Sequence, residues 1–119
     1  MDMSKRKELL EEYKLIKTYM GVAQIKNKQN GKIYIDSYNN LKNKWLTLQM
    51  QLDAGRFANA QLQKDWKEFG SDAFEYEVLE QKEADKVTDM RWELKVILKP
   101  WLQKLQPFED KGYNKPQKN

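Results

Sequence analysis

Residues 62–80 read LQKDWKEFGSDAFEYEVLE, and the spacing of their apolar side chains changes at Gly70. Before this glycine the apolar residues recur at helical spacing, and Asn59 stands where a helix N-cap is expected. After it, aromatic and apolar residues alternate with glutamates over residues 74–78, the pattern of a half-buried strand. The stretch therefore predicts a short helix, closed by Gly70, that leads into a strand. Its helical apolar positions are Leu62, Trp66 and Phe69.

Two stretches nearer the N-terminus predict a β-hairpin. Residues 19–26 read YMGVAQIK and residues 32–36 read KIYID, so both are rich in β-branched and aromatic residues. Between them, Asn30 and Gly31 supply the positive φ values that tight hairpin turns require. We expect these stretches to pair as antiparallel strands.

Amphipathic patterns predict three more helices. Residues 41–52 repeat apolar side chains at helical spacing, and Gly55 follows in position for a left-handed cap. Residues 87–97 carry a similar stripe, which Pro100 ends or kinks before a last apolar turn. Ser4 can cap a charged N-terminal helix. The apolar positions are Leu41, Trp45, Leu48, Leu52, Val87, Met90, Leu94, Ile97 and, at the N-terminus, Leu9, Leu10, Tyr13 and Ile16.

These elements predict a charged helix at residues 1–18, one domain at residues 19–114 and a polar tail at residues 115–119. The whole C-terminal sequence GYNKPQKN reads as polar chain with few contacts. A chain of 119 residues has room for one modest core, and it shows neither an internal repeat nor a low-complexity linker.

Composition narrows the classes of function. Twenty-two Lys and Arg against eighteen Asp and Glu give a net charge of +4, which permits nucleic-acid binding without requiring it. Cysteine and histidine are both absent, which excludes disulfides, thiolate zinc sites and a histidine general base. The N-terminus is charged, and no apolar run reaches the roughly 20 residues that span a bilayer. We therefore expect a soluble cytoplasmic protein with no membrane contact.

The element order and four phrases of sequence resemble the GIY-YIG endonuclease superfamily. The phrases are NGKIYID, NNLKNKW, NAQLQKDWKEFGSDAFEYEVLE and LQPFEDKGYN, and the resemblance covers residues 19–114. Trp66, Gly70 and Phe74 carry its most specific part, the junction from helix to strand. The resemblance implies an α+β fold, a small three-stranded antiparallel sheet flanked by helices, here with an extra N-terminal helix. Members of the superfamily cut DNA with a divalent metal, so Mg²⁺ or Mn²⁺ is implied if the chain is active.

Few of the chemical residues that the resemblance implies are present. Residues 21–23 read GVA in place of Gly-Ile-Tyr, so the first tyrosine, which orients or deprotonates the attacking water, is replaced by Ala23. Residues 34–36 read YID in place of Tyr-Ile-Gly and keep the second tyrosine, Tyr34. The arginine that clamps the scissile phosphate corresponds to Lys44, which supplies charge without the planar fork of a guanidinium.

Three further positions of the family are apolar in this chain. Its two histidines correspond to Leu48 and Ala58, and its metal-binding glutamate corresponds to Leu98, three residues before Trp101. Glu93 is the nearest acid on the same helix, but five residues turn a helix by about 500°, which points it about 140° away from Leu98. The resemblance therefore implies a catalytically impaired member with no firm metal ligand.

A rearranged site is an alternative. A two-residue turn would pair Ile25 with Asp36 and Ala23 with Tyr38, so that Tyr34, Asp36 and Tyr38 share one face of the hairpin. There, the Tyr38 phenol could replace the lost one, and Asp36 could offer a carboxylate to a cation. The interpretation that we favour over a rearranged site is that the tyrosines only cover one side of the sheet. The catalytic candidates are Tyr34 and Lys44, with Asp36 and Tyr38 added in a rearranged site whose metal ligand would be Glu93 or Asp36.

Three functions of different classes follow. The first is a DNA-binding or regulatory module that has lost cleavage, the second a metal-dependent endonuclease with a rearranged site. The third is a protein-interaction domain in which the N-terminal helix, Phe57 or Trp92 contacts a partner. Lysines around the hairpin and the next helix are the candidate phosphate contacts, and a plain solvated surface is an equally favoured interpretation. They are Lys26, Lys28, Lys32, Lys42 and Lys44.

Overall fold

A computed structural model describes residues 17–116 of the chain. The sheet contains three antiparallel strands, β1 (Tyr19–Asn27), β2 (Ile33–Tyr38) and β3 (Phe74–Glu83), in the order β2-β1-β3. Its helices are α1 (Lys44–Asp53), α2 (Ala60–Phe69) and α3 (Met90–Leu105), with short 3-10 turns at Ser71–Ala73 and Glu109–Lys111. The predicted α+β fold is therefore confirmed. Of the predicted helix at residues 1–18, residues 1–16 lie outside the described part, as do residues 117–119 of the predicted tail.

Helices cover both faces of the sheet, and each face has its own apolar cluster. Ile25 of β1 packs with buried side chains of α1 and α2, among them Leu52 and Trp66. Val22, on the alternate face of the same strand, packs with Ile97 of α3. Because successive strand residues point to opposite faces, β1 serves both clusters and is almost completely buried.

The helix boundaries follow from local chemistry. The Asn59 side chain accepts a hydrogen bond from the backbone N–H of Leu62 at 3.0 Å, which confirms the predicted N-cap of α2. Gly55 and Gly70 have positive φ values of +74° and +82° just beyond α1 and α2, which glycine adopts at less cost than any other residue. α1 begins only at Lys44, later than the apolar repeat predicts, because the preceding residues form a turn.

The predicted hairpin register is wrong by two residues. The structure pairs Ala23 with Asp36 and Ile25 with Tyr34. The Asn27 N–H donates to the Lys32 carbonyl at 2.9 Å, which closes a four-residue loop at residues 28–31. Asparagine side chains widen the turn: the Asn27 oxygen accepts from the Gln29 N–H at 2.9 Å, and that of Asn30 accepts from the Lys32 N–H at 2.9 Å. Because a slip of two residues leaves every side chain on its original face, the predicted sharing of one face by residues 34, 36 and 38 is kept.

Two predictions for the C-terminal part are also corrected. Pro100 does not end α3, which continues to Leu105; this proline is exposed, so water can reach the helix carbonyl that it leaves unpaired. The start of the supposed polar tail packs against β2. The Tyr113 side chain is buried, and the Tyr113 backbone N–H donates to the Ile33 carbonyl at 2.9 Å. The Asn114 side chain accepts from the Ile35 N–H at 2.9 Å and donates to the Ile35 carbonyl at 2.8 Å.

This C-terminal segment protects the outer edge of β2. An unpaired edge strand exposes a row of backbone donors and acceptors. Here the Tyr113 backbone and the Asn114 amide continue the ladder of hydrogen bonds that β2 begins. The search of the described residues for a helix long and apolar enough to cross a membrane found none.

Candidate functional site

The alternation of β2 brings three of the candidate residues onto the sheet face under α1 and α2. Tyr34 and Tyr38 pack against the apolar cluster of that face. Asp36 stands between them on the same strand, and it is half-buried. We call Tyr34, Asp36, Tyr38 and their neighbour Tyr76 of β3 the tyrosine cluster.

Short-range contacts fix the geometry of the Asp36 carboxylate. The Tyr34 hydroxyl donates to its Oδ2 atom at 3.3 Å, and the backbone N–H of Ser37 donates to its Oδ1 atom at 2.8 Å. The Tyr34 ring packs edge-on against Phe57, with 5.5 Å between centroids. Phe57 was a candidate for contact with a partner protein, but its ring is engaged within the domain.

Lys44 joins this cluster from the first turn of α1. Its ammonium nitrogen lies 4.9 Å from the centroid of the Tyr38 ring, within the range of a cation–π interaction. Burial raises the pKa of Asp36, and the positive charge of Lys44 opposes part of that rise. The structure thus assembles both retained catalytic candidates, Tyr34 and Lys44, with the two that a rearranged site requires.

The protonation preferences of the cluster follow from its burial. Burial raises the pKa of Asp36, and the Ser37 N–H, the Tyr34 hydroxyl and Lys44 oppose that rise. Burial also raises the pKa values of Tyr34 and Tyr38 well above that of free tyrosine, and the nearby Asp36 charge raises them further. Both phenols are therefore neutral hydrogen-bond donors near pH 7, which makes them unsuited to act as general bases.

Tyr76 was missed by the sequence reasoning. It lies beside Ile25 in the register of β1 and β3, and its ring stacks on Trp45 of α1 with centroids 5.2 Å apart and planes 11° apart. Its hydroxyl is inaccessible to solvent and has no hydrogen-bond partner among the described residues. The alternation of Tyr76 with glutamates places it on the inner face, but only the strand register places it in the same row as Ile25 and Tyr34.

The candidate lysines divide between the two ends of the hairpin. Lys42 and Lys44 lie near the Tyr38 end of β2, whereas Lys26, Lys28 and Lys32 lie at the turn end, about 20 Å away for six strand residues. Lys28 is exposed in the turn. The structure therefore presents two small basic groups in place of one continuous patch.

Two solved structures share this arrangement of strands and helices. One is the catalytic domain of intron endonuclease I-TevI, as a point mutant, with a TM-score of 0.66 and 25% identity over 81% of this chain and 92% of that one. The chain has the GIY-YIG fold. The other structure is the catalytic domain of homing endonuclease I-TevI, with a TM-score of 0.65 and 24% identity over 82% and 99% of the two chains. No family model matches the sequence, and no curated protein does.

The first GIY-YIG motif keeps its glycine for a steric reason. A Cβ atom on Gly21 would lie 2.0 Å from the Glu80 carbonyl oxygen, so β1 and β3 approach each other too closely there for any side chain. The third position of the motif, Ala23, is buried opposite Asp36 and beside Val78. β3 carries one extra residue next to it, because Val22 pairs with Glu80 while Ala23 pairs with Val78.

The other GIY-YIG positions differ in their surroundings. Leu48 is buried in the α1 and α2 cluster, so it contributes to the core. Ala58 is exposed and lines a cavity of about 220 Å³ beside Tyr34 and Asn114. Leu98 packs in the apolar cluster of α3, on the other side of the sheet.

Glu93 and Asp36 lie on opposite faces of the sheet, so the structure does not bring these two metal-ligand candidates together. Glu93 is on α3, where it forms an ion pair with Lys82 at 2.5 Å. Asp36 is the carboxylate of the tyrosine cluster on the α1 and α2 face. Over residues 17–116, no three acidic side chains gather where a metal ion could bind. One carboxylate among protonated phenols does not fit Mg²⁺ or Mn²⁺, which take several oxygen ligands.

Proposed function

We propose that the chain is a GIY-YIG nuclease-like domain with impaired cleavage chemistry that acts as a DNA-binding or regulatory module. The observation that carries the proposal is the state of the tyrosine cluster. Tyr34 donates to the half-buried Asp36 carboxylate, and burial raises the pKa of the Tyr34 phenol, so this tyrosine supplies no phenolate to activate water near neutral pH. Cleavage would require a phenolate or carboxylate free to take a proton.

The placement of Lys44 supports the same conclusion. Its ammonium group lies over the Tyr38 ring, and its charge also acts on Asp36. A lysine in this position offers a point charge to a phosphate, whereas bidentate clamping needs the fork of an arginine. Binding of a phosphate therefore remains feasible while stabilisation of a transition state is weakened.

DNA is the partner that the similar structures and the charge favour. Both similar structures are catalytic domains of an endonuclease. The net charge of this chain is +4, and exposed lysines lie at each end of its hairpin. Contacts of this kind release counterions, so we expect the affinity to fall steeply with salt.

The first experiment combines cleavage and binding. Purified protein is incubated with supercoiled plasmid in Mg²⁺ or Mn²⁺, with a chelator control, and DNA binding is measured between 50 and 200 mM salt, a range in which about six phosphate contacts change the affinity roughly 10³-fold. We expect salt-sensitive binding without cleavage. Lys28→Gln with Lys32→Gln should reduce the slope of affinity against salt, whereas Lys64→Gln with Lys67→Gln on α2 should not. Absence of binding at low salt would refute the proposal and favour a protein-interaction domain.

A second candidate function is an active endonuclease with a rearranged site, favoured by the gathering of Tyr34, Asp36, Tyr38 and Lys44. The variants Tyr34→Phe and Asp36→Ala test it in the same plasmid assay. Nicking that disappears in chelator and in either variant would establish the rearranged site.

A further inference from the structure

The two outer edges of the sheet differ in what covers them. The outer edge of β2 is covered, because Tyr113 and Asn114 bond to its backbone. β3 lies at the opposite edge of the sheet, and among residues 17–116 it pairs with β1 alone. Within that part of the chain, one side of this ten-residue strand therefore has backbone groups without a strand partner.

The register shows which backbone groups face this outer edge. The Lys28 N–H donates to the Ala73 carbonyl at 2.8 Å. In an antiparallel ladder, such a bond means that the next pair inward, which contains Phe74, exchanges no hydrogen bonds of its own. Because bonded and unbonded pairs alternate, Tyr76 and Val78 also direct their N–H and C=O groups away from β1.

The regular part of this edge covers residues 74–78. β3 carries an extra residue just after Val78, which interrupts the ladder there. At the other end, the Phe74 N–H donates to the Ser71 carbonyl, so only the Phe74 carbonyl is available. A partner strand can therefore form five hydrogen bonds, two each with Tyr76 and Val78 and one with the Phe74 carbonyl.

The side chains give the two faces of this edge different characters. Val78 is 39% exposed on the α1 and α2 face, where it follows the half-buried Tyr76. Glu75 and Glu77 point to the other face, and both are exposed. Lys26 stands opposite Glu75 in the register, but neither glutamate forms an ion pair over residues 17–116. The edge is therefore apolar on one face and acidic on the other.

The acidic face distinguishes between possible partners. Two antiparallel registers would pair Tyr76 and Val78 with a second copy of the same edge within residues 74–78. One register places Glu75 opposite Glu77 of the other copy, and the other places Glu77 opposite its own equivalent. Like charges directly opposite each other destabilise paired strands. The same charge repels a DNA backbone, so the edge favours a basic strand from a different protein.

We propose that the outer edge of β3 at residues 74–78 binds an extended segment of another protein in which basic side chains alternate with apolar ones. The segment adds a fourth strand to the sheet, bonded to the backbone of Tyr76 and Val78. Its basic side chains face Glu75 and Glu77, and its apolar side chains cover Val78. This binding site lies at the edge of the sheet away from β2, so it does not depend on the proposed DNA binding.

Amide hydrogen exchange measured by NMR tests the site in the full chain. The probe is a synthetic peptide of about ten residues in which lysine and valine alternate. With the peptide at about 100 times its Kd, exchange of the Tyr76 and Val78 amides should slow about 100-fold, because only the free protein exchanges. The Glu75 and Glu77 amides already donate to β1, so their exchange should change little. A peptide with glutamate in place of lysine should give no protection.

Two variants separate the charge from the backbone. Glu75→Lys with Glu77→Lys should abolish protection by the lysine peptide and create protection by the glutamate peptide. Both side chains are exposed, so the double variant should fold. Val78→Pro removes an outward N–H that β1 does not use, and it should prevent binding in the folded protein.

Several results would overturn the proposal. The first is the absence of protection by the lysine peptide. Equal protection by a peptide that has all its lysines before its valines would show attraction of charge without an added strand. Protection of Tyr76 and Val78 that grows with protein concentration, in the absence of peptide, would assign the edge to a second copy. Slow exchange of both amides in dilute protein alone would mean that another part of the chain occupies the edge.

Discussion

The hydroxyl group of Tyr76 should lower the free energy of unfolding of the domain. This group is shielded from solvent and has no partner among the described residues, while the ring below it stacks on Trp45. Burying a hydroxyl without a hydrogen bond costs about 1–3 kcal/mol in measured variants, whereas the stacking of the ring does not depend on the oxygen. We therefore expect Tyr76→Phe to stabilise the protein by about 1 kcal/mol.

Tyr113→Phe is the matched control, since it removes the same atom from a satisfied site. The Tyr113 hydroxyl accepts from the Asn27 amide at 3.1 Å and donates to the Asp65 carboxylate at 2.6 Å. Burial and the bond to Asp65 raise the pKa of this phenol to about 12, so it remains a donor at any ordinary pH. Its removal leaves buried Asn27 with an unpaired donor, and we expect a loss of about 1–3 kcal/mol.

Urea and thermal unfolding distinguish these two effects. For a domain of about 100 residues, 1 kcal/mol corresponds to roughly 4–8 °C in Tm, so Tyr76→Phe should melt higher than the parent and Tyr113→Phe lower. A Tyr76→Phe variant that melts lower would refute the reasoning. It would mean that the hydroxyl has a partner in solution, such as a trapped water or the Tyr38 phenol, and that the tyrosine cluster is a connected polar network.

Three further predictions follow from the strands and their edges. Burial raises the pKa of Asp36, so this group makes the fold less stable as pH rises above its unfolded pKa of about 3.9; Asp36→Asn should therefore gain stability over the parent from pH 3 to pH 7, measured by urea unfolding at each pH. Gly21→Ala should cost more than about 2 kcal/mol in the same assay, because its Cβ meets the Glu80 carbonyl, and unchanged stability would disprove that close approach. Asn114→Ala should cost about 1–3 kcal/mol and speed the hydrogen exchange of the Ile35 amide, and protection equal to the parent's would show that the Asn114 contact is absent in solution.

Local patterns predicted the elements of this fold because each depends on neighbours in sequence. The change of period at Gly70 predicted both a helix and a strand, and the cap at Asn59 is present as expected. The four-residue loop at the hairpin was missed, because the buried Asn27 side chain folds back onto the Gln29 N–H and lengthens the turn. The propensity of Asn30-Gly31 for a two-residue turn says nothing about this hydrogen bond of Asn27.

Contacts between distant segments were beyond the reach of sequence patterns. The sequence around Tyr113 is polar and contains no repeat, yet its phenol is buried against Asn27, 86 residues earlier in the chain. Tyr76 likewise joins the candidate site only through the pairing of β3 with β1. The position of Tyr113 depends on the free edge of β2, and that of Tyr76 depends on the register of β1 and β3. A repeat of apolar residues every 2 or 3.6 positions predicts neither.

Ala23, Asp36 and Lys44, which differ from the residues of the GIY-YIG motifs, depend on one another in this structure. A tyrosine at position 23 would project beside Asp36, on the sheet face under α1 and α2 that already holds four phenols, those of Tyr34, Tyr38, Tyr76 and Tyr113. With Ala23 there, the Asp36 carboxylate accepts from Tyr34, and Lys44 lies over Tyr38. Under the proposed function, each interaction uses a group that cleavage would need free, so Ala23→Tyr alone should not create a nuclease. Cleavage would also require Asp36→Gly to release the Tyr34 hydroxyl, Lys44→Arg to clamp a phosphate, and Leu98→Glu to supply a metal ligand.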